Sequence, residues 1–312
     1  MTLVYLIRAH RAPHQLARLV GALRGEGVRF FIHIDRKVDE APFRRALAAP
    51  DVRFVANRVV ANWGGYSLVR ATLAGLREIF ADPSGAAPDR ICLLSGQDYP
   101  LISSEGIAAY FRRHADTEFI SYARMPTPFW APIEMRRIER YNFYDWIPLV
   151  WPANKSRRIT RHMTFRLRLF TKLVHVLLPK PAFPAGYIPY GGSAWWCLTG
   201  QTARRLLELT DANPALARFY ERTIHAEEMY FQTLLVNSGA DPARIRGEWR
   251  ENTLGSYLWF EIWKKSSPRT LLETDLDALL ASNRMFARKF DIDVDSRILD
   301  LLDEARTGRT LP

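Results

Sequence analysis

The stretch "LVYLIRAHRAPHQLARLVGALRGEGVRFFIHID", residues 3–35, decides the fold. Its first part, "LVYLIRAH", is apolar and rich in β-forming residues, which predicts a strand. The part "APHQLARLVGALRG" has helical spacing and ends at a glycine, and "VRFFIHID" predicts a second strand. Two strands joined by a helix indicate a parallel pair, because the helical crossover returns the chain to the same end of the sheet.

The alternation continues along the chain. "VRFVANR" (52–58) predicts a third strand, "YSLVRATLAGLREIFAD" (66–82) a helix, and "DRICLLSGQDYPL" (89–101) a fourth strand ending in a polar turn. This rhythm predicts an α/β fold with a mostly parallel, doubly wound sheet and helices on both faces. In such sheets, ligands bind at the carboxyl ends of the strands.

The amino-acid composition favours a folded globular protein. The 312 residues are 48% hydrophobic and 12% aromatic, which suits a globular protein. No apolar run reaches the roughly 18 residues that a membrane span requires. The N-terminus is apolar at once and has no basic n-region, so we interpret it as a strand and not a signal peptide. Cys92 and Cys197 lie in apolar segments, which predicts thiols in a reducing, cytoplasmic compartment.

The net charge of +11 is compatible with nucleic acid, anionic lipid or a phosphate-bearing substrate as partner. Between Lys155 and Lys180 there are eight Lys or Arg and no Asp or Glu, with Phe165, Leu169, Leu173, Val176 and Leu177 at helical spacing. Such a basic amphipathic helix can lie on an anionic membrane, here the inner face of the plasma membrane. The alternative is a helix packed on its own domain with its arginines facing water.

Several polar or glycine residues follow predicted strands: Asp35, Trp63-Gly64-Gly65 and Asp98. Asp35 could cap a turn or accept a hydrogen bond from a ligand's base or ribose. Neither G-x-x-x-x-G-K-[ST] nor G-x-G-x-x-G occurs, which argues against an ATPase or a nicotinamide enzyme.

Three later motifs have both a chemical and a structural interpretation. "IPYGGSAWWCLTG" (188–200) offers glycines for close backbone approach and aromatic faces for stacking on a sugar, or simply a turn into a core strand. "RTIHAEEMYFQTLL" (222–235) holds adjacent carboxylates, which are either a working base or the charged edge of a helix. "NRMFARKFDIDVD" (283–295) places two cations where they could hold a diphosphate.

Six of these motifs together resemble a known family. "FIHIDRK", "WGGYSLV", "LLSGQDYPL", "YGGSAWWCLT", "AEEMYFQTLL" and "FARKFD" occur in this order in the core-2/I-branching β-1,6-N-acetylglucosaminyltransferases and the peptide O-xylosyltransferases. The resemblance extends from Tyr5 to about Asp295. It implies a GT-A type fold and inverting transfer of a sugar, N-acetylglucosamine or xylose, from a UDP-sugar to a hydroxyl of a glycan or glycoconjugate.

The resemblance also implies roles for individual residues. Glu228 matches the catalytic base, and Glu227 occupies the preceding position. The family stabilises the departing UDP with basic side chains instead of a metal, so neither metal nor cofactor is expected. The diphosphate ligands that it implies are Lys289, Arg288 and Arg269, with Lys264 and Lys265 as rivals of Arg269. We interpret "DIDVD" (Asp291, Asp293, Asp295) not as a metal motif but as the N-cap and first turn of a closing helix.

Donor and acceptor contacts follow from the same resemblance. The predicted nucleotide-binding residues are Ile7, Arg8, Asp35, Trp63, Gly64, Gly65 and Asp98. The predicted acceptor-binding residues are Glu134, Arg136, Arg137, Gly192, Ser193, Trp195, Trp259 and Trp263. We expect one glycosyltransferase domain over 1–312, with a nucleotide-sugar-binding half (1–123), an irregular basic and aromatic insert (124–187), and an acceptor and catalytic half (188–312).

Two other classes compete with this interpretation. A nucleic-acid-binding protein would explain the charge, but the sequence has no recognisable recognition module and places acidic residues at the strand ends, so we expect no nucleic acid. A non-catalytic sugar-binding protein of the same fold would not need Glu228 and Lys289.

Overall fold

A computed structural model describes residues 1–83, 87–126, 135–142, 145, 169, 173, 176–178, 182–248, 257–264 and 267–311. Among the predicted site residues, Glu134 and Lys265 lie outside this set, as does most of the basic segment 155–180.

The strands are β1 (Leu3–Ala9), β2 (Val28–Ile34), β3 (Val52–Phe54), β4 (Arg90–Ser95), β5 (Asp98–Pro100), β6 (Glu118–Arg124), β7 (Tyr190–Gly191), β8 (Trp196–Thr199), β9 (Ile245–Glu248), β10 (Trp259–Glu261), β11 (Trp263–Lys264), β12 (Ser267–Pro268) and β13 (Phe286–Arg288). The α-helices are α1 (Pro13–Leu23), α2 (Ala41–Ala46), α3 (Ser67–Phe80), α4 (Ser104–Arg113), α5 (Arg136–Glu139), α6 (Gly200–Ala212), α7 (Pro214–Tyr220), α8 (Tyr230–Asn237), α9 (Leu276–Ala281) and α10 (Arg297–Ala305).

The central sheet has the strand order β3-β2-β1-β4-β8-β6-β7, with β9 beside β6. Strands β3, β2, β1 and β4 are mutually parallel, and β8 runs antiparallel to both β4 and β6. This confirms the predicted α/β class with a mostly parallel sheet flanked by helices. Because β8 comes from the second predicted half and sits between two strands of the first, the two halves share one sheet.

The segment 89–101, predicted as one strand, is two strands in two sheets. After β4 the chain turns at Gly96 and Gln97, and β5 leaves the central sheet to pair antiparallel with β13 in a small sheet of order β10-β13-β5. In this register Asp98 lies directly opposite Arg288. Asp98, which lies close to the end of β4, is thereby placed against Arg288 of the predicted diphosphate-binding motif.

Helix α3 shows how the apolar pattern becomes packing. Val69, Leu73 and Leu76 recur at helical spacing and are 0 to 3% exposed. The helix packs on β1 and β2 so closely that a side chain at Gly75 would overlap Leu6. Burying each such aliphatic side chain contributes about 1.5 to 3 kcal/mol, so this face fixes the helix to the sheet.

The "AEEMYFQTLL" motif does not begin as a regular helix. Ala226–Glu228 forms a single 3₁₀ turn, and α8 starts only at Tyr230. His225, just before the turn, has φ 51°, and Met229, just after it, has φ −136°. Both values are outside the right-handed helical region, so the two carboxylates sit on a separate tight turn.

Two further features concern the thiols and the helices. Cys92 and Cys197 are both free and buried, and they lie opposite each other on β4 and β8. Within the ranges that the structure describes, every helix is too short or too polar to cross a lipid bilayer.

Candidate active site

Five charged side chains converge where β1, β5, β10 and β13 end or begin, and we call them the edge cluster: Arg8, Asp98, Glu227, Glu261 and Arg288. Arg8 is the penultimate residue of β1, whereas Glu261 and Arg288 are the last residues of β10 and β13. Asp98 opens β5, and Glu227 belongs to the 3₁₀ turn. The fold therefore collects them from β1 of the central sheet, from three strands of the small sheet and from one turn, near the carboxyl end of β1, the end of a parallel strand at which ligands usually bind.

Arg288 is the centre of this cluster. Its guanidinium lies 4.1 Å above the ring of Trp195, a cation–π arrangement. Its Nε is 3.2 Å from Asp98 Oδ1 and 3.7 Å from Glu261 Oε1. Burial raises the pKa of Asp98, and it raises the pKa of Glu261 to about 7, with Arg288 opposing both shifts. Two buried carboxyls and an aromatic face thus hold Arg288 in place.

Three residues predicted to touch the donor or acceptor lie in the interior. Asp98 and Ile7 are 0% exposed and Trp259 is 3% exposed. Asp98 accepts from the Ser95 backbone N–H at 2.8 Å, and the Trp259 ring packs on Phe286. Strand pairing between β5, β10 and β13 turns the Asp98 carboxylate and the Trp259 indole inward, and a ligand contact of Asp98, Ile7 or Trp259 stays a prediction. Asp98 positions Arg288, while Ile7 and Trp259 belong to the core.

Lys289 follows Arg288 and is partly exposed. Burial lowers its pKa, and the nearby positive charges of Arg288 and Arg11 lower it further. Arg11 Nη2 lies 2.9 Å from Asp291 Oδ2 and 3.7 Å from Asp293 Oδ2. A lysine crowded by other cations is suited to receive an anion, because an anion relieves the repulsion.

The "DIDVD" prediction needs a partial correction. Asp295 accepts a hydrogen bond at 3.1 Å from the backbone N–H of Ile298 in the first turn of α10, as a capping residue does. Asp291 instead pairs with Arg11, and Asp293 is 78% exposed. Only the last of the three aspartates caps the helix, because the helix begins at Arg297, later than predicted.

The side chain of Arg269 is paired with Asp275. Its two terminal nitrogens donate to Asp275 at 2.7 and 2.6 Å, forming a bidentate pair, and Nη1 also donates to the Thr270 carbonyl. The predicted rival Lys264 and the predicted acceptor residue Trp263 are both exposed on β11. Of the predicted diphosphate ligands, Arg288 therefore belongs to the edge cluster and Lys289 follows it in the chain, whereas Arg269 is occupied by the Asp275 carboxylate.

Glu228 pairs through Oε2 with Nη1 of Arg137, and its side chain is 27% exposed. Its backbone carbonyl accepts from the Gly192 N–H at 2.8 Å. Gly192 has to be a glycine, because an added Cβ would lie 1.8 Å from the Ser121 carbonyl oxygen. The "YGGS" segment, predicted to contact the acceptor, thus holds the turn that presents Glu228.

Ser193 and Gln232 strengthen the same support. Gln232 Nε2 donates to the Ser193 carbonyl at 2.6 Å, and the Ser193 N–H donates to Ser121 Oγ at 2.7 Å. These bonds join α8 and β6 through the segment that follows β7, so α8, which follows the Glu228 turn, is held against the sheet.

The "WGG" loop packs on the other side of the Glu228 turn. The Gly64 carbonyl accepts from the His225 N–H at 2.8 Å, and Gly64 has φ +76°, a conformation that favours glycine. The Trp63 ring, 68% exposed, meets the His225 ring edge-on at 4.7 Å. Gly65 faces the Asp145 carboxylate. The predicted donor loop and the predicted base are therefore neighbours.

Arg8 and Glu227 contain polar atoms that face inward without a partner. Burial lowers the pKa of Arg8 to about 10, and the negative charge of Glu227 opposes this effect. Within the described part of the chain, Arg8 Nε and Glu227 Oε2 are buried and form no hydrogen bond. Unpaired buried polar atoms are costly, so these two mark a place that a polar ligand would complete.

The Asp35 carboxylate caps a turn, as one of the two interpretations of this residue predicted. Its carboxylate accepts from the backbone N–H groups of Lys37 at 3.0 Å and Ala61 at 3.3 Å, and Lys37 Nζ lies 3.4 Å away. A contact with uridine stays a prediction. On the acceptor side, Arg136 is exposed one residue before Arg137.

Sequence reasoning missed Glu261, Arg11 and His225 as members of the site. Burial lowers the pKa of His225, but Glu227, 3.9 Å from its Nδ1, more than compensates, so the pKa is raised. Glu261 carried a signal in the sequence, since a lone acid in the aromatic run "YLWFEIW" predicts a buried charge with a partner.

The fold and the edge cluster define the class of protein: an α/β protein with a charged site at the carboxyl edge of a mostly parallel sheet. The sequence model of the family described as Core-2/I-Branching enzyme matches residues 3–253. The chain therefore belongs to this family, and its relatives identify the family as one of glycosyltransferases.

Those relatives are named for xylosyl transfer. Xylosyltransferase 2 of Homo sapiens is 28% identical over 96% of this chain and 33% of its own length. Xylosyltransferase 1 of Rattus norvegicus is 24% identical over 96% of this chain and 34% of its own length. The chain spans about a third of these curated relatives. The solved mouse xyloside xylosyltransferase 1, apo form, is 15% identical, with a TM-score of 0.33 over 78% of this chain and 84% of its own.

Proposed function

We propose that the protein is an inverting glycosyltransferase of GT-A type, which moves a sugar from a UDP-sugar to a hydroxyl group of a glycan or glycoconjugate. One observation supports the proposal most: the turn bearing Glu228 and the Arg288-Lys289 segment are both linked to the same buried carboxyl, Glu261. Arg288 contacts Glu261, and the negative charge of Glu228 is among the influences that raise the pKa of Glu261. Glu261 therefore experiences the charges of both the proposed base and Arg288, which supports placing them in one site.

Glu228 takes the proton of the acceptor hydroxyl as that oxygen attacks the anomeric carbon. A new C–O bond forms on one face of the carbon while the bond to the UDP phosphate oxygen breaks on the other, so the configuration inverts. The electron pair of the broken bond leaves with UDP, and the proton stays on Glu228. The 27% exposure of the Glu228 side chain lets an acceptor reach it beside Arg137.

The departing UDP gains negative charge, which Lys289 and Arg288 neutralise by charge-assisted hydrogen bonds. Lys289 is the more accessible of the two, because Arg288 is confined by Asp98, Glu261 and Trp195. Arg288 thereby acts as a fixed charge, and a fixed charge needs no reorganisation in the transition state.

We also propose that transfer requires no metal. The pairing of Asp291 with Arg11 supports this, since it assigns the first aspartate of the metal-like "DIDVD" motif to a protein cation. Activity should persist in EDTA with all divalent ions removed. A strict requirement for manganese or magnesium would refute this part of the mechanism.

The proposed donor sugar is N-acetylglucosamine or xylose, the two sugars that the family resemblance implies. The acceptor would lie beside Glu228 and its partner Arg137, with the exposed residues Arg136 and Trp63 as further candidate contacts. The cytoplasm is the compartment in which we propose the reaction occurs, because the protein keeps two free thiols buried in its central sheet.

The test is a thermal-shift screen of UDP, UDP-N-acetylglucosamine, UDP-xylose and UDP-glucose, with and without EDTA, followed by a UDP-release assay with the donors that bind. A ligand that binds only the folded state raises the melting temperature. We expect a shift with UDP compounds and UDP release on addition of acceptor. A shift with free sugars alone indicates a non-catalytic sugar-binding protein, and tight DNA binding with a steep salt dependence indicates a nucleic-acid-binding one; either result refutes the proposal.

A further inference from the structure

Glu227 lies beside the proposed base but has no part in the proposed transfer step. Its side chain is 9% exposed, and its Oε1 lies 3.9 Å from Nδ1 of His225. Its Oε2 is buried and has no hydrogen-bond partner among the residues that the structure describes. Because a buried carboxylate oxygen normally accepts a hydrogen bond, Oε2 is suited to a donor that comes from a ligand.

Arg8 has the complementary deficiency. Its Nη1 donates to the Leu68 carbonyl at 3.0 Å and to Thr72 Oγ1 at 3.4 Å, which ties the guanidinium to α3. The ring of Trp195, with its centroid 5.1 Å from the guanidinium carbon, supports the same group. The Nε–H is buried, and within the described ranges it has no acceptor. Arg8 is therefore held in place with one donor unused.

The unused donor and the unused acceptor are neighbours. Burial lowers the pKa of Arg8, and among the nearby charges that of Glu227 opposes this shift most strongly. Nevertheless, in the described part of the chain neither Arg8 Nε nor Glu227 Oε2 is paired. Two such atoms are suited to a group that both donates and accepts, as a hydroxyl does. A phosphate would satisfy only the arginine and would be repelled by the carboxylate.

The surroundings indicate which part of a UDP-sugar supplies the hydroxyl. Glu227 precedes the proposed base Glu228 in the same 3₁₀ turn. The Trp195 ring that contacts Arg8 also contacts Arg288, a proposed diphosphate ligand, at 4.1 Å. In the proposed transfer, the sugar lies between base and diphosphate, because its anomeric carbon is bonded to the phosphate oxygen and is attacked by the acceptor oxygen.

We propose that Glu227 and Arg8 together bind a hydroxyl group of the donor sugar. The hydroxyl donates to Glu227 Oε2 and accepts from the Arg8 Nε–H. This assignment rests on the proposed transferase function, and it gives the two adjacent carboxylates different tasks: Glu228 takes the proton, and Glu227 selects the sugar. A sugar that lacks the hydroxyl would leave both protein groups unpaired, so the pair discriminates against it.

Calorimetric titration with UDP and with a UDP-sugar tests the proposal. The UDP-sugar is the one among UDP-N-acetylglucosamine, UDP-xylose and UDP-glucose that stabilises the wild type most. Glu227→Ala should weaken UDP-sugar binding by about 10- to 100-fold and UDP binding by less than about threefold, because only the sugar loses a hydrogen bond to a charged group. Glu227→Gln, which keeps the shape of the side chain, should show a smaller selective loss, and it serves as the test if the alanine variant does not fold.

Arg8→Lys addresses the other half of the pair. Lysine keeps the positive charge but has no Nε–H in a guanidinium plane. We expect this variant to lose UDP-sugar affinity selectively, as the Glu227 variants do, while UDP affinity stays close to that of the wild type.

Glu118→Gln is the matched control. Glu118 is 5% exposed, but its carboxylate accepts hydrogen bonds from Thr199 and Thr202. Thr199 is paired with the first residue of β4, whereas Arg8 is paired with the last, so the control lies at the opposite edge of the central sheet. It should lower the melting temperature and leave the affinities for UDP and UDP-sugar unchanged.

Equal losses of UDP and UDP-sugar affinity in the Glu227 variants would overturn the proposal, because the pair would then contact the nucleotide or serve only the fold. Unchanged UDP-sugar affinity in these variants would overturn it as well. A wild-type protein that binds none of the UDP compounds would instead refute the proposed function, and the assignment of the pair would fail with it.

Discussion

The edge cluster and the Arg269–Asp275 pair are two charged regions of very different construction. Around Arg288, charges are buried, carboxyls outnumber their partners and some polar atoms stay unpaired. Arg269 and Asp275 satisfy each other by two hydrogen bonds near the surface. The first arrangement leaves buried polar atoms unpaired, which costs free energy unless a ligand binds. In the second, the two side chains satisfy each other without a ligand. A cation with unpaired polar atoms around it is therefore a better candidate for ligand binding than one identified only by its place in a motif.

The largest expected effect tests the reactive side of the edge cluster. Glu228→Gln keeps the shape of the side chain but cannot accept the acceptor proton. We expect transfer to fall by about 10² to 10⁴, with UDP affinity changed less than threefold. Steady-state UDP release and calorimetric titration of UDP measure the two effects. Glu208→Gln, an exposed glutamate, is the control, and a Glu228→Gln variant with most of its turnover would refute the assignment of the base.

A second prediction uses the pH dependence of stability to separate the two regions. The pKa of Glu261 is raised from 4.5 to about 7, so the folded protein keeps a proton that the unfolded chain releases near pH 4.5. Stability from this group therefore falls as pH rises from about 4.5 to 7, by up to about 3 kcal/mol. Glu261→Gln should lack this loss.

The pKa of Asp275 is lowered, mainly by its hydrogen bonds from Arg269, so the sign there is opposite. The stability that Asp275 contributes is present above its unfolded pKa of about 4 and is lost as pH falls through its lower folded value. Urea unfolding of the wild type, Glu261→Gln and Asp275→Asn from about pH 2 to 8 would show both trends, the Asp275 trend below about pH 4 and the Glu261 trend above about pH 4.5. A difference between wild type and Glu261→Gln that does not change with pH would contradict the account of Glu261.

The third prediction concerns the accessible cation of the site. Lys289→Ala should weaken UDP binding by about 10- to 100-fold, because a hydrogen bond between charged groups contributes about 1.5 to 3 kcal/mol. Lys264→Ala is the matched control, since Lys264 is exposed on β11. Calorimetric titration with UDP gives both affinities, and a larger loss in Lys264→Ala than in Lys289→Ala would reverse our choice of diphosphate ligand.

The smallest expected effect concerns the Arg269–Asp275 pair. Arg269→Ala should leave UDP affinity within about twofold of the wild type and lower stability by less than about 1 kcal/mol, because the arginine is about one-third exposed. Should Arg269→Ala abolish UDP binding, the contrast between the two regions would fail, and the original prediction from the sequence would be restored.

The sequence was sufficient for much of the fold. Periodicity in residues 3–35 predicted β1, α1 and β2, because apolar spacing reports directly on burial. It could not predict that 89–101 would divide between two sheets, since β5 is short and pairs with β13, nearly 190 residues away in the chain. The pairing depends on tertiary structure, and no local pattern encodes it.

The same division applies to the site. Glu228 and Lys289 were predicted through motif order, and their roles stay predictions; Glu228 influences Glu261, and Lys289 follows Arg288, which contacts Glu261. The burial of Asp98 and Trp259 was not predicted, because strand ends look alike in sequence whether their side chains face a ligand or a neighbouring strand. Glu261 was missed because only the pairing of β10 with β13 brings it to Arg288.

The most direct measurement is a crystal structure of the protein with UDP bound. The account predicts β-phosphate oxygens within about 3.2 Å of Lys289 Nζ or the Arg288 guanidinium, with the Glu228 carboxylate facing the terminal phosphate. UDP bound at Arg269, or in a place that Glu228 does not face, would contradict it.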